Sequence, residues 1–548
     1  MPRDPAATSD NSAPNPQNHA LVIGGGFGGM AASLRLRAKG YHVTIVDRCP
    51  RLGGRAQVFE REGFRHDAGP TVITAPFLFE ELFNLFGKKL ANYVELVVPE
   101  QWYRFYFDED QTQFDYGPTQ EITEAEIAKV SPDDVRGYRR FNDHAKKIYD
   151  LAFTKLSDAP FHNPGLMVKY LPSLLRLRSY ETVWQMISRF VKNDKVRRAF
   201  SIQPLLLGGN PYQTTSIYGL INHLEREHGV WFPMGGTGAL VDGLATLMTE
   251  EGIDIRTNTT VDHIIIEDGI ARGVMLDNGQ AIRADVVVSN ADPMHLYKHM
   301  LPPGVINTPA TIRSRHARLS MGLYVLFFGA DKQWPEVAHH TIWFGKRHKE
   351  LLDDIFNRKV LADDFSLYLH RPTATDPSFA PAGADSFYVL CPVPNQQGDI
   401  DWAEEEPKLR QRIIEALDCS ILPGLRDTIR APFSMTPDNF AHDYLSAAGA
   451  GFSIAPHFTQ SAWFRFHNRA ETIPGLYLVG AGTHPGAGLP GVVCSAKVID
   501  KLVPLAPGMA SGMASEMPPG ASAHKAHQAT DHGSSQRVGS DGATNQAA

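Results

Sequence analysis

Three glycines carry the first chemical signal. Gly24, Gly26 and Gly29 lie in the string Gly24-Gly25-Gly26-Phe27-Gly28-Gly29 and satisfy G-x-G-x-x-G. Each position has a physical task. The first lets the chain turn sharply after a strand, and the second lets backbone approach a pyrophosphate. The third allows a helix to pack closely on the strand, with its free N–H groups facing the anion. Asp47 stands at the end of the next apolar run, where a carboxylate can hold a ribose hydroxyl pair. Gly53-Gly54-Arg55 follow. Two adjacent glycines let backbone run beside a bound cofactor, and the arginine can reach a phosphate. The chemistry is dinucleotide binding; the motif alone does not separate a flavin dinucleotide from a nicotinamide one.

These residues need a strand–turn–helix–strand unit to position them, and the pattern supplies one. His19–Ile23 is a short apolar strand, residues 30–39 have helical composition and stop at Gly40, and 43–46 form a second strand. The region from about 80 to 234 reads as largely helical. Short strands follow at 253–256, 263–267, Ile270–Leu276 and 285–289, with turn signals at Asp268-Gly269 and Asn278-Gly279. Strands and helices mix from 318 to 450. A last apolar strand at 476–479 enters the turn Gly480-Ala481-Gly482 and a final helix. Residues 1–18 and 505–548 lack apolar periodicity and read as disordered tails around an ordered body at 19–504.

At 548 residues the chain exceeds one compact core, so two or three domains are expected. Its 43% hydrophobic and 21% charged content is that of a soluble globular protein, and a net charge of -7 argues against a nucleic-acid partner. The cysteines Cys49, Cys391, Cys419 and Cys494 lack disulfide or metal spacing, so no metal is expected and a reducing cytoplasm fits. No secretory signal is visible in the polar N-terminal stretch. No apolar run is long enough to span a bilayer, so any membrane contact must be peripheral.

Longer strings point further. Arg51-Leu52-Gly53-Gly54-Arg55 is similar to the extended FAD fingerprint of the glutathione-reductase-like flavoproteins. Asp67-Ala68-Gly69-Pro70-Thr71, Gly208-Gly209-Asn210-Pro211, Trp231-Phe232-Pro233-Met234-Gly235-Gly236-Thr237-Gly238, Ser289-Asn290-Ala291-Asp292, Gln460-Ser461-Ala462-Trp463-Phe464 and Gly480-Ala481-Gly482-Thr483-His484-Pro485-Gly486 also occur. Together they resemble the bacterial and fungal phytoene desaturases over about 19–502. The resemblance implies an α/β fold with a Rossmann-like FAD-binding domain of glutathione-reductase/amine-oxidase type. That domain is discontinuous in sequence, at 19–90, 235–300 and 470–504. A mixed α+β substrate domain, 91–234 and 301–469, carries a helical membrane-facing subdomain at about 160–200. The implied reaction is FAD-dependent desaturation of 15-cis-phytoene to neurosporene or lycopene-type carotenoids. The family's FAD residues carry over to Gly24, Gly26, Gly29, Asp47, Gly54 and Arg55, with Val261 at the adenine and Gly482 and Val492 at the flavin end. Relatives often have Glu where this chain has Asp47.

Phytoene is a hydrocarbon with no polar handle, so its site must be a long apolar tunnel. Residues 205–207, Tyr324, Leu326, Phe327, Phe328 and Trp463 could line one or could be ordinary core. Desaturation removes a hydride and a proton from adjacent carbons. His484 and Asp67 are candidates for the base, and each reads equally as a turn-forming residue. Residues 166–198 interleave apolar and basic side chains, a pattern suited to an anionic membrane surface. Gly235-Gly236-Thr237-Gly238 does not repeat the dinucleotide fingerprint, so oxygen or a membrane quinone is the expected electron acceptor rather than a bound nicotinamide. The expected partners are phytoene, later carotenoid intermediates and the membrane surface; a homo-oligomer stays open. A later carotenoid desaturase, oxidase or isomerase is the runner-up. A flavin amine oxidase and a non-catalytic carotenoid carrier are the other readings.

Overall fold

Continuous apolar runs, lacking the alternation of a half-exposed strand, mark the first sheet. In the computed structural model, which describes residues 17–509, five strands lie side by side. Their order is Leu476–Leu478, Val286–Ser289, His19–Ile23, His42–Val46 and Asp254–Arg256, all parallel. Parallel strands are covered on both faces, which is why they read as unbroken apolar runs. Every residue of Val286–Ser289 is buried. Helices Phe27–Ala38 and Leu489–Leu502 cover one face and share a core with Val22, Ile45 and Val288. The antiparallel strands Val261–Glu267, Ile270–Leu276 and Ala281–Arg283 cover the other, against Leu21, Ile23 and Val287. Strand order reverses around His19–Ile23, and ligands of open parallel sheets sit at the carboxyl ends beside such a reversal.

A seven-stranded sheet forms the second layer. It runs Ile429–Met435, Gly322–Ala330, Asp385–Val393, Leu367–His370, His340–Phe344, Tyr103–Phe107 and Thr112–Tyr116. All pairs are antiparallel except His340–Phe344 with Tyr103–Phe107. Tyr103–Phe107 and Thr112–Tyr116 correct the helical reading of 80–234. Buried Tyr103, Phe105 and Phe107 recur every second residue, the strand period, and Gln111 turns the hairpin at φ 57°.

Within 166–198 the structure separates two kinds of surface. Helix Pro164–Arg176 leaves Val168 71%, Leu171 40% and Leu175 52% exposed. In Val183–Ser188 and Asp194–Phe200 the apolar residues Val183, Met186, Ile187, Val196 and Phe200 are buried instead. The Lys195 ammonium pairs with Asp110, and Arg198 pairs with Glu109 and Asp194. The exposed large apolar side chains of the segment therefore lie between 164 and 180, while Arg189 and Lys192 are exposed basic residues beyond it.

At the far end the body runs past 504. Val503 and Ala506 are buried, and the Ala506 N–H donates to the Lys39 carbonyl at 3.0 Å. Residues 17–506 belong to one compact unit. The expectations for 1–16 and 510–548 lie outside the described residues.

Candidate active site

Each glycine of the first turn has a contact that explains it. Gly24 adopts φ 90° and its N–H donates to the Val46 carbonyl at 2.8 Å, tying the turn to the second strand. A Cβ on Gly29 would stand 2.0 Å from the Gly24 carbonyl oxygen, so only glycine lets the helix sit this close. Gly26 bridges Gly53, and a Cβ on Gly54 would lie 3.2 Å from the Gly26 Cα. The two glycine loops thus touch backbone to backbone. Helix Phe27–Ala38 begins with no side-chain cap, which leaves its first N–H groups for an anion.

Asp47 ends the second strand. Its Oδ2 accepts from the Gly25 N–H at 2.5 Å and its Oδ1 from the Cys49 N–H at 2.7 Å. Burial pushes its carboxyl up, while these N–H groups hold it down. Each oxygen retains a lone pair for a ribose hydroxyl. The Arg55 guanidinium donates to Ser446 Oγ at 2.6 Å. Desolvation pulls its pKa down, with Asp292 and Tyr444 in partial compensation. A half-buried cation with so little pairing is suited to an anion such as a phosphate.

A single cavity of about 540 Å³ joins these groups. Asp47, Thr259, Thr260 and Val261 line one end, and Gly24, Gly26, Gly28, Gly54 and Arg55 the middle. Gly482, His484 and the stretch 488–492, including Val492, line the other end. Gly29 stands behind the wall as a packing residue. The cavity suits an extended dinucleotide whose ring system rests at the 480–492 turn. There Asp292 Oδ2 and Ser453 Oγ are buried without partners, and helix Leu489–Leu502 starts at Gly488 with no side-chain cap. Those leftover polar groups match the polar edge of a flavin.

The same cavity continues into apolar walls: Ile202, Leu205, Leu206, Leu207, Met321, Leu323 and Leu390, then Met167, Tyr170 and Leu174 of the exposed helix. The tunnel expectation needs correction on strand Gly322–Ala330. Side chains alternate across a sheet, so Met321 and Leu323 face the cavity. Tyr324, Leu326 and Phe328 point the other way, into the core beneath helix Trp402–Asp418. Phe327 packs within the inner core and Trp463 supports Met167 and Tyr170; neither lines the cavity.

The two proposed bases fare differently. Asp67 is absent from the wall. Its Oδ2 accepts from the Thr237 N–H at 2.9 Å and its Oδ1 from the Gly238 N–H at 3.3 Å. It caps helix Gly236–Glu250, and burial raises its pKa to about 6. His484 does line the cavity. Its Nε2 faces the Leu156 carbonyl at 2.8 Å and must donate to it, which leaves Nδ1 as the bare nitrogen, buried and without a partner. Desolvation lowers its pKa to about 4.

A third ionisable group in the wall escaped the sequence reading. Glu225, on helix Leu220–His228, is wholly buried. Its Oε1 accepts from the Tyr103 hydroxyl at 2.9 Å, and its Oε2 has no partner. The string Leu224-Glu225-Arg226-Glu227-His228 looks like an ordinary solvated helix face, so no local signal separates Glu225 from Glu227. A buried histidine trio was missed too. One ligand nitrogen from each of His339, His340 and His370 falls within 4.8 Å of the others. Two nitrogens on one zinc stand at most about 4.2 Å apart, and these rings are already bonded: His370 Nε2 to His339 Nε2 at 3.0 Å, His339 Nδ1 to Thr375 Oγ1 at 2.7 Å and His340 Nδ1 to the Tyr368 hydroxyl at 2.8 Å. The trio is a polar network inside the sheet.

Comparison with known proteins agrees with this geometry. Residues 27–497 match the family described as flavin containing amine oxidoreductase. A "phytoene desaturase (lycopene-forming)" of Pseudescherichia vulneris is 46% identical over 88% of this chain and 98% of its own. A "phytoene desaturase (neurosporene-forming)" of Rhodobacter capsulatus is 42% identical over 89% of this chain and 94% of its own. Among solved structures, an oxidoreductase from Methanosarcina mazei shares the fold, with a TM-score of 0.59, 18% identity, and coverage of 88% of this chain and all of that one. The chain belongs to the flavin-containing amine oxidoreductases and, within them, to the phytoene desaturases.

Proposed function

We propose that this protein desaturates phytoene with FAD as its redox group while docked on a membrane. The observation that carries the reading is the continuity of one cavity, polar at its dinucleotide end and apolar beyond the 480–492 turn. The names of the relatives at 42–46% identity supply the substrate class.

When bound, FAD supplies the hydride acceptor; the protein holds, orients and dries the site. Asp47 and the backbone near Val261 would hold the adenosine end. The uncapped start of helix Phe27–Ala38, together with Arg55, would hold the diphosphate. Gly482 and Val492 would flank the flavin. The leucines at 205–207 and Leu323 would press a hydrocarbon against it and exclude water. Loss of hydride from an allylic carbon leaves a delocalised cation, which needs only a modest base to release the neighbouring proton.

Phytoene dissolves in bilayers, so the entrance should face one. Helix Pro164–Arg176 turns Met167, Tyr170 and Leu174 toward the cavity and Val168, Leu171 and Leu175 outward, beside exposed Lys169 and Arg176. Such a helix can lie in the interface plane of an anionic bilayer. Among the described residues no helix is long and apolar enough to cross one. Electrons would leave to oxygen or a quinone, because the second glycine turn, at 235–238, already holds the Asp67 carboxylate at its helix start. The reading assigns FAD binding to the parallel sheet and substrate binding to the seven-stranded sheet with its helices. Expression in cells that accumulate phytoene tests it: neurosporene or lycopene should appear, and unchanged phytoene would refute it.

A further inference from the structure

We infer that Glu225 is the proton acceptor of the desaturation. The inference rests on the phytoene-desaturase reading above and assigns a step that reading leaves without a residue.

The geometry favours Glu225 over its rivals. Glu225 is among the residues that line the cavity, its side chain is fully buried, and its Oε2 has no partner in hydrogen-bond geometry. The segment leading into its helix also reaches the flavin-end turn. The preceding residue, Leu224, shares a core with Leu489, and a Cβ on Gly486 would lie 3.4 Å from the hydroxyl of Tyr218, just before the helix. An unpaired buried acceptor is costly, a cost that a purely structural helix would avoid with leucine. Asp67 has both oxygens committed to backbone N–H groups outside the wall. His484 keeps a bare nitrogen, but burial makes it reluctant to take a proton.

The surroundings poise the group. Desolvation lifts the Glu225 pKa to about 7, against the Tyr103 hydroxyl, the nearby Gln203 amide and the Arg226 guanidinium, which hold it down. Gln203 stands outside hydrogen-bond geometry, so its influence is that of a nearby dipole. Tyr116, on the strand beside Tyr103, and Tyr368 remain protonated, since burial raises both. His340, tilted against Tyr103 with ring centroids 5.8 Å apart, is kept neutral by burial. A base is most effective when its pKa lies near the working pH.

The step balances as follows. One C–H bond breaks with its electron pair, and the hydride passes to the flavin. The adjacent C–H bond breaks, its electrons become the new C=C bond, and the proton joins Glu225 Oε2. The ionised carboxylate also stabilises the cation before proton loss. The proton then leaves to water as product departs, and the two electrons pass to oxygen or a quinone.

The test uses FAD-loaded protein on phytoene-containing phosphatidylcholine vesicles. E225Q keeps the Tyr103 bond, because an amide oxygen accepts as a carboxylate does. A structural role therefore survives this change and a proton-accepting role does not. E225Q should retain FAD content and thermal midpoint while turnover falls about 100-fold or more. Wild-type turnover should rise as pH passes through about 7, and that limb should vanish in E225Q. Y103F should move the limb upward. An infrared titration, which needs no substrate, should show a protonated-carboxyl band that titrates near this pH in wild type and is missing in E225Q. Should E225Q lose FAD, E225D must keep the pH limb at reduced rate. E225Q turnover within about threefold of wild type, or an unchanged pH limb, would overturn the proposal. A wild type inert toward phytoene would count against the functional reading, and the infrared titration would still decide whether Glu225 exchanges a proton.

Discussion

Gly26 shows how one residue can carry a binding site. Its missing side chain lets two glycine loops meet, a Cβ there would stand 2.9 Å from Asn290 Nδ2, and the proposed site would place a diphosphate beside it. Gly26→Val should therefore purify with less than about a tenth of the wild-type FAD, because two further methyls fill the anion's approach at a cost of about 1–3 kcal/mol. Flavin absorbance per chain measures this, and full occupancy would mislocate the site. Asp67 supplies the opposite case, a carboxyl outside the chemistry. Asp67→Asn should leave turnover near wild type. Its effect belongs to stability, and the sign follows from linkage. A folded-state pKa of about 6, against an ordinary 3.8, means the folded protein holds the proton more tightly than the unfolded chain. Asp67 thus costs nothing below about pH 4, and stability falls as pH rises through about 6, by up to about 3 kcal/mol. Denaturant midpoints across that range should fall less steeply in Asp67→Asn. The turn glycines were legible in sequence because local backbone geometry demands them. Glu225 was not, because its burial depends on a strand more than a hundred positions away.

At the scale of elements, the parallel sheet and its two long helices follow from apolar runs and glycine punctuation; the sequence reading placed the strands within a residue of their bounds, began the first helix three residues late and gave the last helix no bounds. The Tyr103–Phe107 and Thr112–Tyr116 hairpin was passed over as helix, although its alternation of buried aromatics is a strand pattern. Patterning also marked 166–198 as one continuous apolar and basic stretch. Periodicity shows that a helix has an apolar face but not whether protein or lipid covers it. In Val183–Ser188 and Asp194–Phe200 protein covers it; on Pro164–Arg176 three apolar side chains stay outside. Replacing Val168, Leu171 and Leu175 together by Ser should lower vesicle partitioning on the order of 100-fold or more, since each such side chain transfers at about 1.5 kcal/mol or better. Lys195→Gln with Arg198→Gln should leave partitioning unchanged, because those cations already pair with Asp110, Glu109 and Asp194. Vesicle sedimentation distinguishes the two sets, and the reverse pattern would move the docking surface elsewhere.

The whole molecule makes sense as a passage between two solvents. On the proposed reading a hydrocarbon would leave a bilayer at an exposed helix, run along leucine walls and meet a polar cofactor site built where parallel strand order reverses. That arrangement needs segments from the start, middle and end of the chain, and only the folded structure shows that a single cavity links them. The central claim is that phytoene reduces the bound flavin in this cavity. The most direct measurement is the absorbance of FAD-loaded protein on phytoene-containing vesicles without oxygen. Bleaching of the oxidised flavin, with recovery on adding a quinone and formation of a more conjugated carotene, is the predicted result. An oxidised flavin that persists beside unchanged phytoene, or bleaching and turnover that require NAD(P), would contradict it.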